Sequence, residues 1–175
     1  MQENFNIIKK IGFGSFSECF LCRNFNTLVA AKKSINSRFY EGIKPCELKE
    51  IYCLLKLKDH PNIIHLKEIS IDKNCNYILI LKYVKMTLNK FIDIEKERSK
   101  YTLSFINQML SVIYHMHRNN IVHTDLKASN ILIEYTDNQN DIKIYLIDFG
   151  SSYIENISQK YSIVTTYTTR APEAF

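Results

Sequence analysis

The sequence of 175 residues has no Trp, only four Gly and three Pro, and no unbroken apolar run longer than the five residues 77–81. A bilayer span takes about 20 apolar residues, so no membrane-spanning helix is expected. Residues 1–6 carry no basic stretch leading into an apolar one, so a secretory leader is not expected either. With secretion and membrane set aside, the five Cys, an odd number, read as free thiols of an intracellular chain in cytoplasm or nucleus. Cys19 and Cys22 form a C-x-x-C pair, but no second pair follows, and on a strand residues three apart point to opposite faces. Small buried hydrophobes are expected there rather than zinc ligands. Dense charge is missing too. Residues 1–86 hold 14 basic and 8 acidic side chains, yet the basic ones stand singly or in pairs such as Lys9-Lys10 and Lys32-Lys33. That spacing suits a solvated face, and no nucleic-acid partner is expected.

What is present is an ordinary globular balance: 46% hydrophobic, 23% charged, net charge +5. Such a balance excludes disordered, collagenous and coiled-coil chains, and a chain of this size buries about 70% of its unfolded surface without disulfides. Residues 5–11, 18–23 and 28–35 are short and apolar-rich, separated by the turn residues Gly12, Gly14, Asn24 and Asn26, and read as successive antiparallel strands. Leu48, Ile51, Tyr52 and Leu55, with Leu54 or Leu57, then recur at three and four. They predict a helix from Glu47 that ends at His60-Pro61, because the residue before Pro avoids helical angles. Residues 63–71 and 77–81 read as two further strands around a turn at 72–74. Beyond a break near 82–86 the pattern is helical, over 88–94 and then over 102–118, where Phe105, Met109, Val112, Ile113 and Met116 mark one apolar face. Asn119-Asn120 reads as a stop, and the apolar runs 130–133 and 142–147 flank a polar turn, which suggests a hairpin.

Gly12-Phe13-Gly14-Ser15-Phe16-Ser17 falls between the first two strands. Glycines at that spacing either supply positive backbone angles in a hairpin or form a flap whose N–H groups approach phosphates. Lys32 follows Val29-Ala30-Ala31. A Lys inside an apolar strand either snorkels to the surface or takes a carboxylate or phosphate, and Glu50 on the next helix is a candidate partner. The segment Ile121-Val122-His123-Thr124-Asp125-Leu126-Lys127-Ala128-Ser129-Asn130-Ile131-Leu132 gives these features a context. It sets an Asp, a Lys and an Asn within six positions on a loop between a helix and a strand, and Asp148-Phe149-Gly150 follows the hairpin. An Asp to accept a hydroxyl proton, an Asn and a second Asp to hold Mg²⁺, and a Lys to neutralise a moving phosphoryl group are what phosphoryl transfer requires.

In this order the motifs resemble the eukaryotic protein kinase family, over about residues 5–175. The resemblance implies an α+β, two-lobed fold: a five-stranded antiparallel small lobe with one helix over 1–81, a hinge at 82–86 and part of a helical lobe over 87–175. It implies a Ser/Thr kinase that uses ATP and Mg²⁺ and acts on a protein substrate. Gly12, Gly14 and Ser17 would form the phosphate flap, Ser17 standing where the family usually has its third Gly, and Ile11 joins the nucleotide-binding set. Cys19, in place of the usual Val, would enclose the adenine with Ala30 and Leu132. Leu81 resembles the gatekeeper, and Lys82 to Val84 the hinge whose backbone bonds the adenine. Lys32 would bind the α- and β-phosphates and pair with Glu50. Asp125 resembles the catalytic base, Lys127 the γ-phosphate stabiliser, Asn130 and Asp148 the Mg²⁺ ligands, and Ala171-Pro172-Glu173 the A-P-E motif. Thr166, Lys127 and Asp125 together are similar to the Ser/Thr-specific arrangement.

Leu48-Lys49-Glu50-Ile51, His60-Pro61-Asn62-Ile63 and the stretch from Thr166 to Glu173 are similar to the CMGC group of kinases. His123-Thr124-Asp125 and Asp148-Phe149-Gly150-Ser151-Ser152 resemble its LAMMER-type or DYRK-type members more than the cyclin-dependent ones. Thr124 replaces an Arg that in the family grips a phosphorylated activation loop, so activity independent of phosphate at Ser158, Ser162 or Thr165 is expected. The family's helical lobe continues past A-P-E, whereas these residues end two after Glu173. On that comparison Glu173 lacks its later Arg, His123 its anchoring Asp, and the helix at 102–118 part of its cover, which leaves a surface for a regulatory protein partner. The absent Trp, which CMGC members carry where Thr168 stands, agrees. Two readings follow: an ATP-dependent Ser/Thr kinase domain, or a pseudokinase-like fragment that binds ATP or a partner without turnover.

Overall fold

The computed structural model describes residues 5–14, 17–35, 43–72, 76–136, 141–155 and 166–169. The chain divides into two units, one of residues 1–47 and 65–84, the other of residues 48–64 and 85–175.

In the first unit, β1 (Phe5–Phe13), β2 (Ser17–Asn24), β3 (Thr27–Ser34), β4 (Leu66–Ile71) and β5 (Tyr77–Lys82) form one antiparallel sheet in the order β1-β2-β3-β5-β4. Side chains alternate between the faces of a strand, so register decides which residues share a face. Cys22, Val29, Ala31 and Ile80 form a buried cluster against which Phe5, Phe20 and Ile78 pack. The intervening residues make two cross-strand rows on the opposite face: Gly12, Cys19, Lys32 and Leu79 in one, Leu21, Ala30 and Leu81 in the next. Between Lys10 and Gly12 the register slips by one residue, which makes Ile11 the extra residue of a bulge. The turn expected at Asn24 and Asn26 is there, but the positive backbone angle falls on Phe25 (φ 50°). The strand expected from residue 63 starts at Leu66, because Ile63 instead bridges in parallel to Leu146.

Helix α1 (Pro45–Lys56) opens on a Pro, where the missing N–H has no helical partner to lose. The Glu47 carboxylate reaches back to accept the Lys44 N–H at 3.0 Å. Glu50, Cys53 and Leu54 are its buried residues. Burial pushes the Cys53 thiol up to about 11, which makes it an inert core group.

The second unit holds β6 (Met86–Thr87), α2 (Leu88–Ile94), α3 (Thr102–Arg118), β7 (Ile121–Val122), β8 (Ile131–Tyr135), β9 (Ile142–Leu146) and β10 (Tyr153–Ile154). The strands pair as β6-β8-β9 and as β7-β10. On α3 the expected apolar face is buried in its second half, at Val112 and Met116, and only half-buried at Phe105, Met109 and Ile113. Leu103, Ile106, Leu110 and Tyr114 make a second, exposed stripe. None of the described helices is long and apolar enough to cross a membrane.

Strand β9 is an edge, and its outward backbone groups need partners. Two amides supply them. Gln108 on α3 donates from Nε2 to Ile142 O (2.8 Å) and accepts the Ile144 N–H at Oε1 (3.0 Å). Asn62 donates from Nδ2 both to Gln108 Oε1 (2.7 Å) and to Ile144 O (3.0 Å). The backbone takes over at Leu146, whose N–H reaches Asn62 O (2.8 Å) and whose carbonyl accepts Ile64 N–H (3.1 Å). A polar residue in the middle of the apolar face of α3 thus stands in for a neighbouring strand.

Tyr135 at the end of β8 donates its hydroxyl to Glu95 Oε2 (2.7 Å), and its ring meets Phe91 and Tyr101. Burial, and then the bond to Glu95, raise its pKa to about 12 from the ordinary 10. A raised acid stabilises the fold in its neutral form, so this contribution is present below pH 10 and fades as pH rises toward about 12. Melting temperatures between pH 9 and 12 are expected to fall more steeply for the wild type than for Tyr135→Phe. Parallel curves would contradict the assignment.

Candidate active site

The loop between β7 and β8 is built around His123, which is 1% exposed. Its Nδ1 accepts the Asp125 N–H (3.3 Å), so the ring proton sits on Nε2 and is donated to Ile147 O (2.9 Å). Burial lowers the His123 pKa against the opposing pull of Ile147 O and of the Asp148 and Asp125 charges, which keeps the ring neutral. The Phe149 ring lies 5.0 Å away, centroid to centroid. The anchoring Asp that the family resemblance implies is not needed to satisfy the ring, since both nitrogens are bonded locally.

Asp125 follows, 8% exposed. Oδ1 accepts the Thr166 hydroxyl (2.5 Å) and the Thr166 N–H (3.2 Å). Oδ2 accepts Lys127 Nζ (2.7 Å) and Asn130 Nδ2 (3.2 Å). Lys127 Nζ also donates to Thr166 Oγ1 (3.0 Å), so the three side chains close a triangle. Burial pushes the Asp125 carboxyl up, but the bond to Lys127, the Thr166 hydroxyl and the Lys127 charge outweigh it, and its pKa lies below the ordinary carboxylate value. A carboxylate has about four lone-pair positions, and all four are taken.

Asn130 is buried, and its Nδ2 is committed to Asp125 O (2.9 Å) and Oδ2, which leaves the amide oxygen Oδ1 as its remaining acceptor. The Ile147 N–H bonds Asn130 O (3.0 Å), so the chain delivers Asp148 next to the same segment. Asp148 adopts φ 67°, a left-handed angle that Asp tolerates better than most residues. Thr124 adopts φ 66°, which is costly for a β-branched side chain, and its hydroxyl donates to Ser151 O at 2.8 Å.

In the first unit, Gly12, Cys19, Ala30, Lys32 and Leu81 share one face of the sheet, as the rows above require. Gly14 N–H closes the β1–β2 turn on Ser17 O (2.9 Å), and a Cβ at Gly12 would come within 3.3 Å of Cys19 Cβ. Val84 is buried, and the Lys82 N–H is held by His65 O (2.9 Å). Leu132 lies in the second unit, on β8 opposite Thr87. Glu50 is 5% exposed. Lys32 and Glu50 belong to different units, and their pairing stays an expectation. Ser15, Phe16, Ser158, Ser162, Thr165, Arg170 and Ala171-Pro172-Glu173 lie outside the described residues. Sequence reasoning missed the part played by Gln108, the bond of Thr124 to Ser151 O and the strained backbone at Thr124. Of these only Gln108 left a signal, as a polar residue inside an apolar helix stripe.

An antiparallel five-stranded sheet with a glycine-bearing first turn in one unit, and a loop that presents Asp, Lys and Asn in the other, are the features of a protein-kinase-like fold. The chain belongs to the protein kinase domain family, whose model matches residues 5–175. It is 38% identical over 168 residues to calcium-dependent protein kinase 4 of Plasmodium falciparum, covering 91% of this chain and 30% of that protein. It is 31% identical to cyclin-dependent kinase 1 of Encephalitozoon cuniculi, covering 97% and 55%, and 34% identical to the CTD kinase subunit alpha of Saccharomyces cerevisiae, covering 95% and 31%. Among solved structures, the CAK complex of Chaetomium thermophilum bound to ATP-gamma-S matches with a TM-score of 0.72 and 28% identity, over 86% of this chain and 47% of that one. The chain therefore spans about half, or less, of the length of these proteins.

Proposed function

We propose that this domain is a Ser/Thr protein kinase that moves the γ-phosphoryl of ATP to a protein hydroxyl, with residues 82–86 as the hinge between an ATP-handling part and a catalytic part. The triangle of Asp125, Lys127 and Thr166 carries the reading: a carboxylate kept ionised, a cation bonded to it, and a Thr that holds both in register. In this reading Asp125 takes the proton of the attacking hydroxyl, and Lys127 neutralises the phosphoryl group in flight. The substrate hydroxyl displaces one of the two longer bonds to Asp125, those at 3.2 Å from Thr166 N–H and Asn130 Nδ2.

The oxygen donors suit Mg²⁺, a hard cation that takes oxygen ligands: a carboxylate at Asp148 and the amide oxygen left to Asn130. Bound there, Mg²⁺ would neutralise phosphate charge. Gly12, Gly14, Ser17 and Lys32 would hold the phosphates, with Glu50 orienting Lys32. Ile11, Cys19, Ala30, Leu81, Lys82, Val84 and Leu132 would surround the base. The relatives support a CMGC-like kinase, and within that group His123-Thr124-Asp125 and the Ser151-Ser152 pair favour the LAMMER-type or DYRK-type branch. A second reading, ATP binding without turnover, draws on the full commitment of the Asp125 acceptor positions.

Radiolabelled ATP and a Ser-containing peptide separate the two. Transfer that requires Mg²⁺, and that survives phosphatase treatment of the protein, is the expected result. A Mg²⁺-dependent rise in melting temperature with ATP but no transfer would select the second reading, and neither effect would overturn both.

A further inference from the structure

We infer that Thr124 is a positioning residue: its hydroxyl ties the loop that carries Asp125 to the segment that carries Asp148, and so sets the spacing of the two carboxylates during phosphoryl transfer. The inference rests on the kinase reading and adds to it a device internal to the chain.

Residues 147–154 run back along residues 121–130 and are fastened at several points. Ile147 is held from both sides, by His123 Nε2 on its carbonyl and by Asn130 O on its N–H. At the far end, Tyr153 and Ile154 pair with Val122 and Ile121. Between these fastenings the chain turns through 149–151, a short 3-10 stretch, directly after the left-handed residue Asp148. The Thr124 side chain meets that turn at its last residue, with Oγ1 2.8 Å from Ser151 O. Thr124 is itself left-handed at φ 66°. A β-branched residue is a poor choice for that angle, where Gly or Asn sits with less strain. A strained residue persists where its surroundings over-determine it, and the bond to Ser151 is the side-chain contact that does so here. Each end of this bond lies next to a proposed functional group: Asp125 is the following residue, and Asp148 stands three before Ser151.

Thr124→Val keeps the shape and the branching but removes the donor, whereas Thr124→Ser keeps the donor and drops the methyl. Loss of the bond, with the Ser151 carbonyl left short of a donor, is expected to lower kcat about tenfold in the Val variant while KM for ATP stays within about twofold. Thr124→Ser is expected to recover most of that loss. Hydrogen exchange of the peptide covering residues 147–154 gives a reading independent of turnover, rising in the Val variant and remaining near wild type in the Ser variant. A Val variant with wild-type kcat, or a Ser variant as slow as Val, overturns the positioning role. Unchanged exchange in the Val variant overturns the tether itself. A wild-type protein that transfers no phosphate removes the kinase reading, and the exchange measurement then decides the tether alone.

Discussion

Asp125→Asn is expected to slow phosphoryl transfer about a thousandfold while ATP affinity stays within about twofold, the range for loss of a general base outside the nucleotide contacts. The chemical reason is local. The Asp125 carboxyl is held ionised by Lys127 and Thr166 against its burial, so an acceptor for the substrate proton is present at neutral pH. An Asn has no such acceptor strength. It also turns a donor toward either Lys127 Nζ or the Thr166 N–H, so residue 125 loses at least one of its four bonds whichever way the amide faces. Single-turnover rates with radiolabelled ATP, together with ATP titrations of both proteins, check this. A residual rate within tenfold of wild type would remove Asp125 from the role of base.

Asn62→Ala is expected to destabilise the second unit by about 3 kcal/mol, because it leaves the buried Ile144 carbonyl and the Gln108 amide oxygen each short of a donor. In a domain of this size that corresponds to a fall of about 6 to 12 °C in melting temperature. Asn62→Asp should be worse, since a carboxylate at a site 6% exposed donates no hydrogen bond to Ile144 O and faces Gln108 Oε1 with like polarity. Thermal unfolding monitored by circular dichroism gives both values. A shift below about 2 °C for Asn62→Ala would mean that water or backbone movement replaces the bonds.

The first-third strands, both long helices and the β8–β9 hairpin were legible in the sequence because their apolar periods are strong and local. The boundary at residue 63 was misjudged for a non-local reason. Ile63 reads as strand, and it does pair, but with Leu146, so it extends a different layer from β4. The apolar face of α3 was legible in direction and overestimated in extent, since Leu103, Ile106, Leu110 and Tyr114 mark a second stripe that periodicity does not rank below the first.

Asp125, Lys127, Asn130 and Asp148 announced themselves because phosphoryl transfer needs chemically distinct groups at close spacing, and such spacing survives in the linear chain. Their condition did not. The neutral Nε2–H form of His123 depends on Ile147 O, and the Asp125 pKa, lowered first by nearby Lys127, is lowered further by the bond to Thr166; Ile147 and Thr166 lie far along the chain. The left-handed turn at Thr124 depends on Ser151 in the same way. Sequence by itself determined which groups are available and roughly where along the chain they fall, through periodicity and spacing. Tertiary structure alone decided which of them are ionised, which lone pairs are already taken and which strained residue is held in place, because hydrogen bonds and burial between distant segments set those properties.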